Sequence, residues 1–484
     1  MSRERQGRPS VLVVGGGLAG CEASWQLLRL GAAVDLREMR PAVMTPAHRT
    51  GELAELLCSN SLRSMRLENA GGVLKYELKA HDSLILRAAE ASRVPAGFAL
   101  AVDRQNFSRF IEEALLANPH FQLQRSEVQS LDPALFSNYD AVILATGPLT
   151  SPSLATAMSG WLGTDNLYFY DAKAPIVEAE SLDLEAIYRA SRYQADAVGD
   201  YLNCSLNEEE YRRFYEALVS AETSPLHNFE SLRLFQGCQP LEEIARSGYD
   251  SLRFGPLKPV GLKLPDGTEP YAVLQLRQDN ASGTQYNLTG CQTRLTYPEQ
   301  DRVFRYIPAL KDARFVSYGQ MHRNIYINAP VSLTRAYRVQ PAYADRILAG
   351  LDLAIVGQLS GVEGYIESTA SGFLAAHELA ERLGLSSDWP RFSRDRERAY
   401  EETMIGGLAL HTERVSDDYQ PAKANYGLLS PLSPDLRGQL RRQYRLPRQG
   451  RRGRRLLYAC RALSHVYAPE ELESIVRAEL EEER

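Results

Sequence analysis

Residues 10–39 read SVLVVGGGLAGCEASWQLLRLGAAVDLREM, and the apolar and polar positions change rhythm along that stretch. VLVV is a continuous apolar run, the signature of a parallel strand buried on both faces. A helix is predicted from about Leu18 to Leu30, ending before Gly31, a natural C-cap. VDLRE then reads as a second strand. Further on, FSRFIEEALLA predicts a helix, FQLQRSEV a strand, and DAVILATGP at 140–148 another apolar strand. Residues 351–384 repeat the opening theme: an apolar strand, LDLAIVG, runs into a glycine-rich turn and a helix. Between them, from about 166 to 340, the chain is Tyr-rich, with short β-like runs such as YAVLQLRQ, TQYNLTGCQTRLTY and RNIYINAP. This pattern predicts an α/β fold in which a Rossmann-like, doubly wound domain is split by an α+β insertion domain. The boundaries expected are 9–165 and 341–440 for the two parts of the nucleotide-binding domain and 166–340 for the insertion. Residues 441–484 form a basic C-terminal segment and tail.

Composition narrows the class. A chain of 484 residues exceeds one ordinary core and predicts two or three domains. A hydrophobic content of 44% with 24% charged residues is that of a soluble globular protein. The opening MSRERQGRPSVLVVGGG predicts no signal peptide, and no later segment approaches the roughly 20 apolar residues of a membrane span. The cysteines are Cys21, Cys58, Cys204, Cys238, Cys291 and Cys460, without a CxxC pair or zinc-ligand spacing. That usage predicts free thiols in a reducing cytoplasm, and no metal. The net charge of −6 argues mildly against nucleic acid, but RRQYRLPRQGRRGRR at 441–455 holds eight arginines and no acid. Such a tract either follows a phosphate backbone or is a solvated, partly disordered segment. The acidic ending ELEEER reads as a solvated helix tail.

The chemistry begins at Gly15, Gly17 and Gly20, a G-x-G-x-x-G with Gly16, Leu18 and Ala19 between, set after a strand and at a helix start. The first glycine serves the tight turn, the second the approach of backbone to a pyrophosphate, and the third close helix–strand packing. Glu38 ends the second strand, where an acid would accept a ribose hydroxyl. The alternative is a plain structural βαβ unit. Thr146 and Gly147 close the ATG after a later strand, and the second glycine-rich turn follows some two hundred residues on. One Rossmann unit closed by so distant a strand–turn–helix points to FAD rather than to NAD alone.

Several longer motifs resemble one family. VVGGGLAGCEASWQLLRLGAAVDLREMRP, LLCSNSLRS, LRQDNASGTQYNLTGCQT, YGQMHRNIYINAP, VGQLSGVEGYIESTASG and YQPAKANYGLL are together similar to TrmFO, the bacterial folate- and FAD-dependent tRNA (uracil-5-)-methyltransferases. They extend from about residue 10 to 430. The larger GidA/MnmG tRNA-modifying flavoproteins resemble the FAD parts but run considerably longer. The chain departs from the TrmFO pattern at DYQPAKANYGLL, where the family commonly has NFQPMNANFGLL-like text, so Ala422 and Lys423 are altered. The arginine-rich stretch after about Arg437 is more basic than the family's.

The resemblance implies methylation of C5 of the T-loop uridine, U54, of tRNA. It implies 5,10-methylenetetrahydrofolate as carbon donor, and FADH2 recharged by NAD(P)H as reductant. Uracil C5 is a poor nucleophile until a thiolate adds at C6, and a base must later take the C5 proton. Two cysteines match family positions: Cys238 in FQGCQPLEE as the C6 nucleophile, and Cys58 as a flavin-side catalytic thiol or base, with the two roles exchangeable. Arg253 or Lys258 are candidate cations beside Cys238. Cys21 is expected to serve packing. Gly357, Gln358, Gly361 and Gly364, with Glu363 at the helix start, are expected to meet the flavin, and Val128 its adenine side. His322 is a candidate for the folate or uracil pocket, and Arg277 for a folate carboxylate or an RNA phosphate. Competing readings are a GidA/MnmG-like wobble-uridine enzyme, a small-molecule FAD/NAD(P)H oxidoreductase and a non-enzymatic RNA-binding protein.

Overall fold

The computed structural model of the protein describes residues 7–163, 167–192, 199–224, 239–393, 395–414, 419–447 and 449–481. The apolar runs become a five-stranded parallel sheet of β1 (Ser10–Val14), β2 (Ala33–Glu38), β3 (Phe121–Arg125), β4 (Ala141–Leu144) and β5 (Asp352–Ile355). Their order is β5-β4-β1-β2-β3, a doubly wound arrangement. Val11 pairs in register with Val34 on one side and Ala141 on the other. β1 is buried on both faces, which is why its sequence is apolar without alternation.

Helix α1 (Leu18–Leu30) stops at Gly31, whose φ of 104° only glycine adopts without strain, and whose N–H reaches back to Leu28 O at 3.2 Å. Its main partner is α2 (Tyr365–Arg382), the helix after β5. The two approach at small residues: a Cβ on Gly372 would collide with the backbone of Ala19. Two segments more than three hundred residues apart thus close over one sheet.

The middle of the chain forms a six-stranded antiparallel-paired sheet built from Ile176–Glu178, Ile187–Ala190, Tyr201–Leu206, Ala272–Gln278, Gln285–Leu288 and Phe315–Ser317. It has its own core, with Leu206, Phe214, Leu252, Leu274 and Phe304 buried together. The insertion is entered and left through one antiparallel ribbon, in which Leu167–Ala172 pairs with Met321–Tyr326. Adjacent entry and exit let the insertion fold without parting the parallel sheet. Tyr326 and Ile327 already belong to the first core.

The arginine-rich stretch is helical. α3 (Pro434–Tyr444) and α4 (Gly450–Leu463) bury Leu440, Tyr444, Leu456, Leu457 and Cys460 in the first core, and α5 (Pro469–Glu481) adds Leu472 and Val476. The reading of 441–455 as partly disordered is therefore corrected for its described residues. An apolar face at helical spacing lies under the charge and anchors it. No described helix is long and apolar enough to cross a membrane.

Candidate functional site

The main cleft opens at the C-terminal edge of the parallel sheet, where strand order reverses between β1 and β4, the usual ligand position in such sheets. It holds about 1200 Å³ of empty space, its open mouth included. Gly15 to Ala19 form its floor, Arg37 to Arg40 and Ser126 to Val128 one end, and Gly357, Gln358, Tyr365, Leu57 and Cys58 the other.

Each motif glycine has a distinct role. Gly15 turns with φ 105°, and a Cβ there would lie 2.5 Å from Ala145 O. Gly16 donates its N–H to Glu38 Oε2 at 2.7 Å. Gly17 is the N-cap of α1 without a side-chain cap, and a Cβ there would meet nothing within 4 Å. Gly20 packs so closely that a Cβ would collide with the Gly15 carbonyl. The open space at Gly17, facing an uncapped helix N-terminus, suits a pyrophosphate. Leu18 and Ala19 line the same wall, and Thr146 and Gly147 (φ 68°) the opposite one, with Thr146 Oγ1 2.7 Å from Thr150 Oγ1.

Glu38 is buried and held by a partner that sequence reading missed. Arg40 Nε lies 2.8 Å from Glu38 Oε1, and Arg40 Nη1 3.2 Å from Glu55 Oε2. Arg40 is only 2% exposed. Burial pushes the Glu38 carboxyl up, but the Arg40 hydrogen bond and charge and the Gly16 N–H outweigh it and hold it below the usual range. A charged carboxylate with remaining lone pairs therefore faces the cleft, ready to accept a ribose hydroxyl. The signal was present in REMRP, but only burial shows that Arg40 turns inward. Val128 lies buried at this end of the cleft.

At the other end sits Cys58, half-buried. Its N–H donates to Tyr365 Oη at 2.8 Å, and the Ser59 N–H to the same oxygen at 3.2 Å. Arg104 donates to the carbonyls of Leu56 and Leu57, and it reaches Asp279 of the insertion with both Nε (3.1 Å) and Nη2 (3.2 Å). The Cys58 loop is thus pinned by α2, by residue 104 and by the insertion together. The other described cysteines, Cys21, Cys204, Cys291 and Cys460, are fully buried, and burial raises each thiol well above its ordinary range, Cys460 to about 12. Cys238 lies outside the described residues. Its candidate neighbour Arg253 is paired with Asp250 at 2.7 Å and stacks over Tyr271, while Lys258 is half-buried.

Several expectations need correcting. Arg277 is buried in the insertion sheet with Nε donating to Asn60 Oδ1 at 2.9 Å and Nη2 to Ser59 Oγ at 2.8 Å. It clamps the Cys58–Asn60 loop to the insertion rather than facing a carboxylate or phosphate, because its five donors match side chains that the sequence separates by more than two hundred residues. Gly357 (φ 75°) and Gln358 line the cleft, but Gly361, Glu363 and Gly364 do not. After Ser360 the chain swings away: Gly361 packs against Tyr419, and Glu363 pairs with Lys423 Nζ at 2.8 Å. The altered residue Lys423 thereby meets a buried acid. A Cβ at Gly364 would collide with the Glu367 carboxylate. His322 stands in the ribbon opposite Asp171, and its side chain lies outside the described part of the structure. Among the described residues no cluster of His, Cys, Asp and Glu is placed to hold a metal ion.

The family described as Glucose inhibited division protein A matches residues 10–385. The methylenetetrahydrofolate–tRNA-(uracil-5-)-methyltransferase TrmFO of Moorella thermoacetica is 50% identical over 436 residues, covering 89% of this chain and 94% of that protein. The TrmFO of Syntrophus aciditrophicus is 47% identical over 425 residues, covering 87% and 92%. Among solved structures, GidA of Aquifex aeolicus superposes with a TM-score of 0.61 at 14% identity, covering 98% of this chain but 76% of GidA. A second crystal form of it gives 0.62 at 14%, covering 97% and 78%. The GidA likeness establishes a shared fold, with GidA the longer chain. The identity to TrmFO spans both the cleft and the insertion, and on that ground the chain belongs to the TrmFO family of methylenetetrahydrofolate–tRNA-(uracil-5-)-methyltransferases.

Proposed function

We propose that the protein methylates C5 of the T-loop uridine U54 of tRNA, with 5,10-methylenetetrahydrofolate as carbon donor and FAD, recharged by NAD(P)H, as redox cofactor. The observation that carries this reading is one cleft in a TrmFO family member, with an open helix N-terminus at Gly17 and the thiol of Cys58 at its far end. FAD fits these residues: Gly15–Gly17 and the α1 N-terminus would take the pyrophosphate, Glu38 the ribose, and Val128 the adenine side. Gly357, Gln358 and Thr146–Gly147 would flank the rest. Bound there, reduced FAD supplies the reducing equivalents that turn a transferred methylene into a methyl group.

The protein's own part is nucleophile and base. Addition of the Cys238 thiolate to C6 forms a C–S bond and moves the electron pair to C5, which attacks the methylene carbon. A base then removes the C5 proton as the bond from the methylene carbon to the donor nitrogen breaks, and a hydride added to that carbon would complete the methyl group as the C–S bond breaks and the thiolate leaves. Cys58 is assigned to that proton, with exchange of the two roles as the alternative. Exposed Arg442, Arg445, Arg451 and Arg454 on α3, α4 and their connection have no ion-pair partner among the described residues and suit tRNA phosphates. Reduced folate and tRNA as substrates suit a cytoplasmic enzyme. Incubation with FAD, NADH, labelled methylenetetrahydrofolate and unmodified tRNA tests the reading: label should appear in ribothymidine at position 54, and its absence from ribothymidine overturns the assignment.

A further inference from the structure

The main cleft is lined by two arginines, Arg37 and Arg40, and three glutamates, Glu38, Glu55 and Glu127. Arg40 is fully engaged with the acids: it is 2% exposed, with Nε on Glu38 Oε1 at 2.8 Å and Nη1 on Glu55 Oε2 at 3.2 Å. A pyrophosphate diester is a dianion at neutral pH, and the α1 N-terminus at Gly17 offers it only about half a positive charge. An anion entering a site with more carboxylates than arginines needs a full counter-charge as well. Arg37 is in place to give it. Its backbone sits beside the glycine turn, with the Gly15 N–H donating to Arg37 O at 2.8 Å and Val14 in register with Arg37. Its side chain lines the cleft, yet the guanidinium has no hydrogen bond or ion pair among the described residues, and its Nε is buried without a partner. Glu38, the next residue, is taken up by the Gly16 N–H and Arg40 and leaves Arg37 uncompensated.

We propose that Arg37 is a cofactor-binding residue whose guanidinium is the counter-charge for the FAD pyrophosphate. The inference rests on the FAD reading of the cleft and adds to it a side chain that meets the phosphates with a full charge. An arginine presents a planar fork of donors that matches phosphate oxygens, supplementing the glycine turn and the helix end. The two arginines, three residues apart, thus divide the work. Arg40 neutralises the acids, and Arg37 is kept available for the ligand. A guanidinium that lacks its own acid favours ligands that bring a phosphate over the phosphate-free nucleoside.

The test reads binding. Wild type, Arg37→Met and Arg37→Lys, each stripped of flavin, are titrated with FAD by flavin fluorescence, and FAD is then displaced with ADP or with adenosine, which lacks phosphate. Arg37→Met should weaken FAD and ADP about tenfold to a hundredfold and leave adenosine within about twofold. Arg37→Lys should recover part of the loss, since it keeps the charge without the fork. Raising salt from about 0.05 to 0.5 M should weaken FAD more in the wild type than in Arg37→Met. Unchanged FAD affinity in Arg37→Met overturns the proposal. An equal loss for ADP and adenosine also overturns it, because that pattern means contact with the adenine or damage to the cleft. If Arg37→Met does not fold, Arg37→Gln is read by the same criteria. A wild type that takes no FAD would sink the proposed function together with this inference, whereas FAD binding indifferent to Arg37 would sink this inference alone.

Discussion

Replacing Arg40 by Met tests how the cleft holds its ribose-side acid. Met keeps length and apolar bulk while deleting two charged hydrogen bonds, Nε to Glu38 Oε1 at 2.8 Å and Nη1 to Glu55 Oε2 at 3.2 Å. Glu38 and Glu55 side chains are 6% and 13% exposed, so water cannot readily replace the lost cation. Removing one partner of such a buried set costs about 3–5 kcal/mol, consistent with two charged bonds of roughly 1.5–3 kcal/mol each. For a domain of this size that lowers the apparent Tm by roughly 6–10 °C. The pH dependence carries a second signature. In the wild type the Glu38 carboxyl is held below its unfolded value, so its stabilisation is present at neutral pH and lost only as pH falls through that low folded value. In Arg40→Met the Gly16 and residue 40 backbone N–H bonds remain, but the guanidinium's bond and charge no longer offset burial, so the folded value should rise and the variant should gain stability relative to the wild type as pH falls from about 7 to 5. Urea denaturation of the apoprotein followed by tryptophan fluorescence measures both. A loss below about 1 kcal/mol, or parallel pH profiles, would refute the argument that Arg40 neutralises a buried acid pair. FAD affinity should fall about tenfold as the ribose acceptor loses its charge.

Three other outcomes are expected. Gly17→Ala should change apoprotein stability by no more than about 1 kcal/mol yet weaken FAD about a hundredfold by filling the pyrophosphate space, whereas Gly20→Ala should destabilise the fold itself by about 1–3 kcal/mol; calorimetry and flavin fluorescence separate the two. Reversing Arg442, Arg445, Arg451 and Arg454 to Glu should weaken tRNA binding and reduce the salt dependence of log K by about 1 per lost phosphate contact, with FAD affinity intact; an unchanged slope in filter-binding titrations would return this face to solvent. Cys238→Ser should keep the flavin spectrum and lose methyl transfer to tRNA, and undiminished turnover would remove that residue from the mechanism.

What local sequence dictates, reading the chain recovered. VLVV must be buried on both faces, Gly31 must end a helix, and Gly15, Gly17 and Gly20 state a turn, an open approach and a tight packing, because each constraint acts within a few residues. The helical arginine face shows the first limit. Its composition pointed toward disorder or RNA, while Leu440, Tyr444, Leu456 and Leu457 beneath it were the decisive residues.

Side-chain pairing across distance was the second limit. Arg277 and Glu363 were expected at ligands and instead meet Asn60 and Lys423, since a guanidinium or carboxylate takes whichever partner the fold brings nearest. Arg40 drew no attention in the sequence, for charged residues are usually solvated and only burial makes a charge seek compensation. The sequence by itself determined a split nucleotide-binding fold, its glycine turns and the thiols available for chemistry. Tertiary structure alone decided which charges lost their water, and hence which of them hold Glu38 ionised and which surround Cys58, because desolvation depends on everything packed around a group and not on its neighbours in the chain.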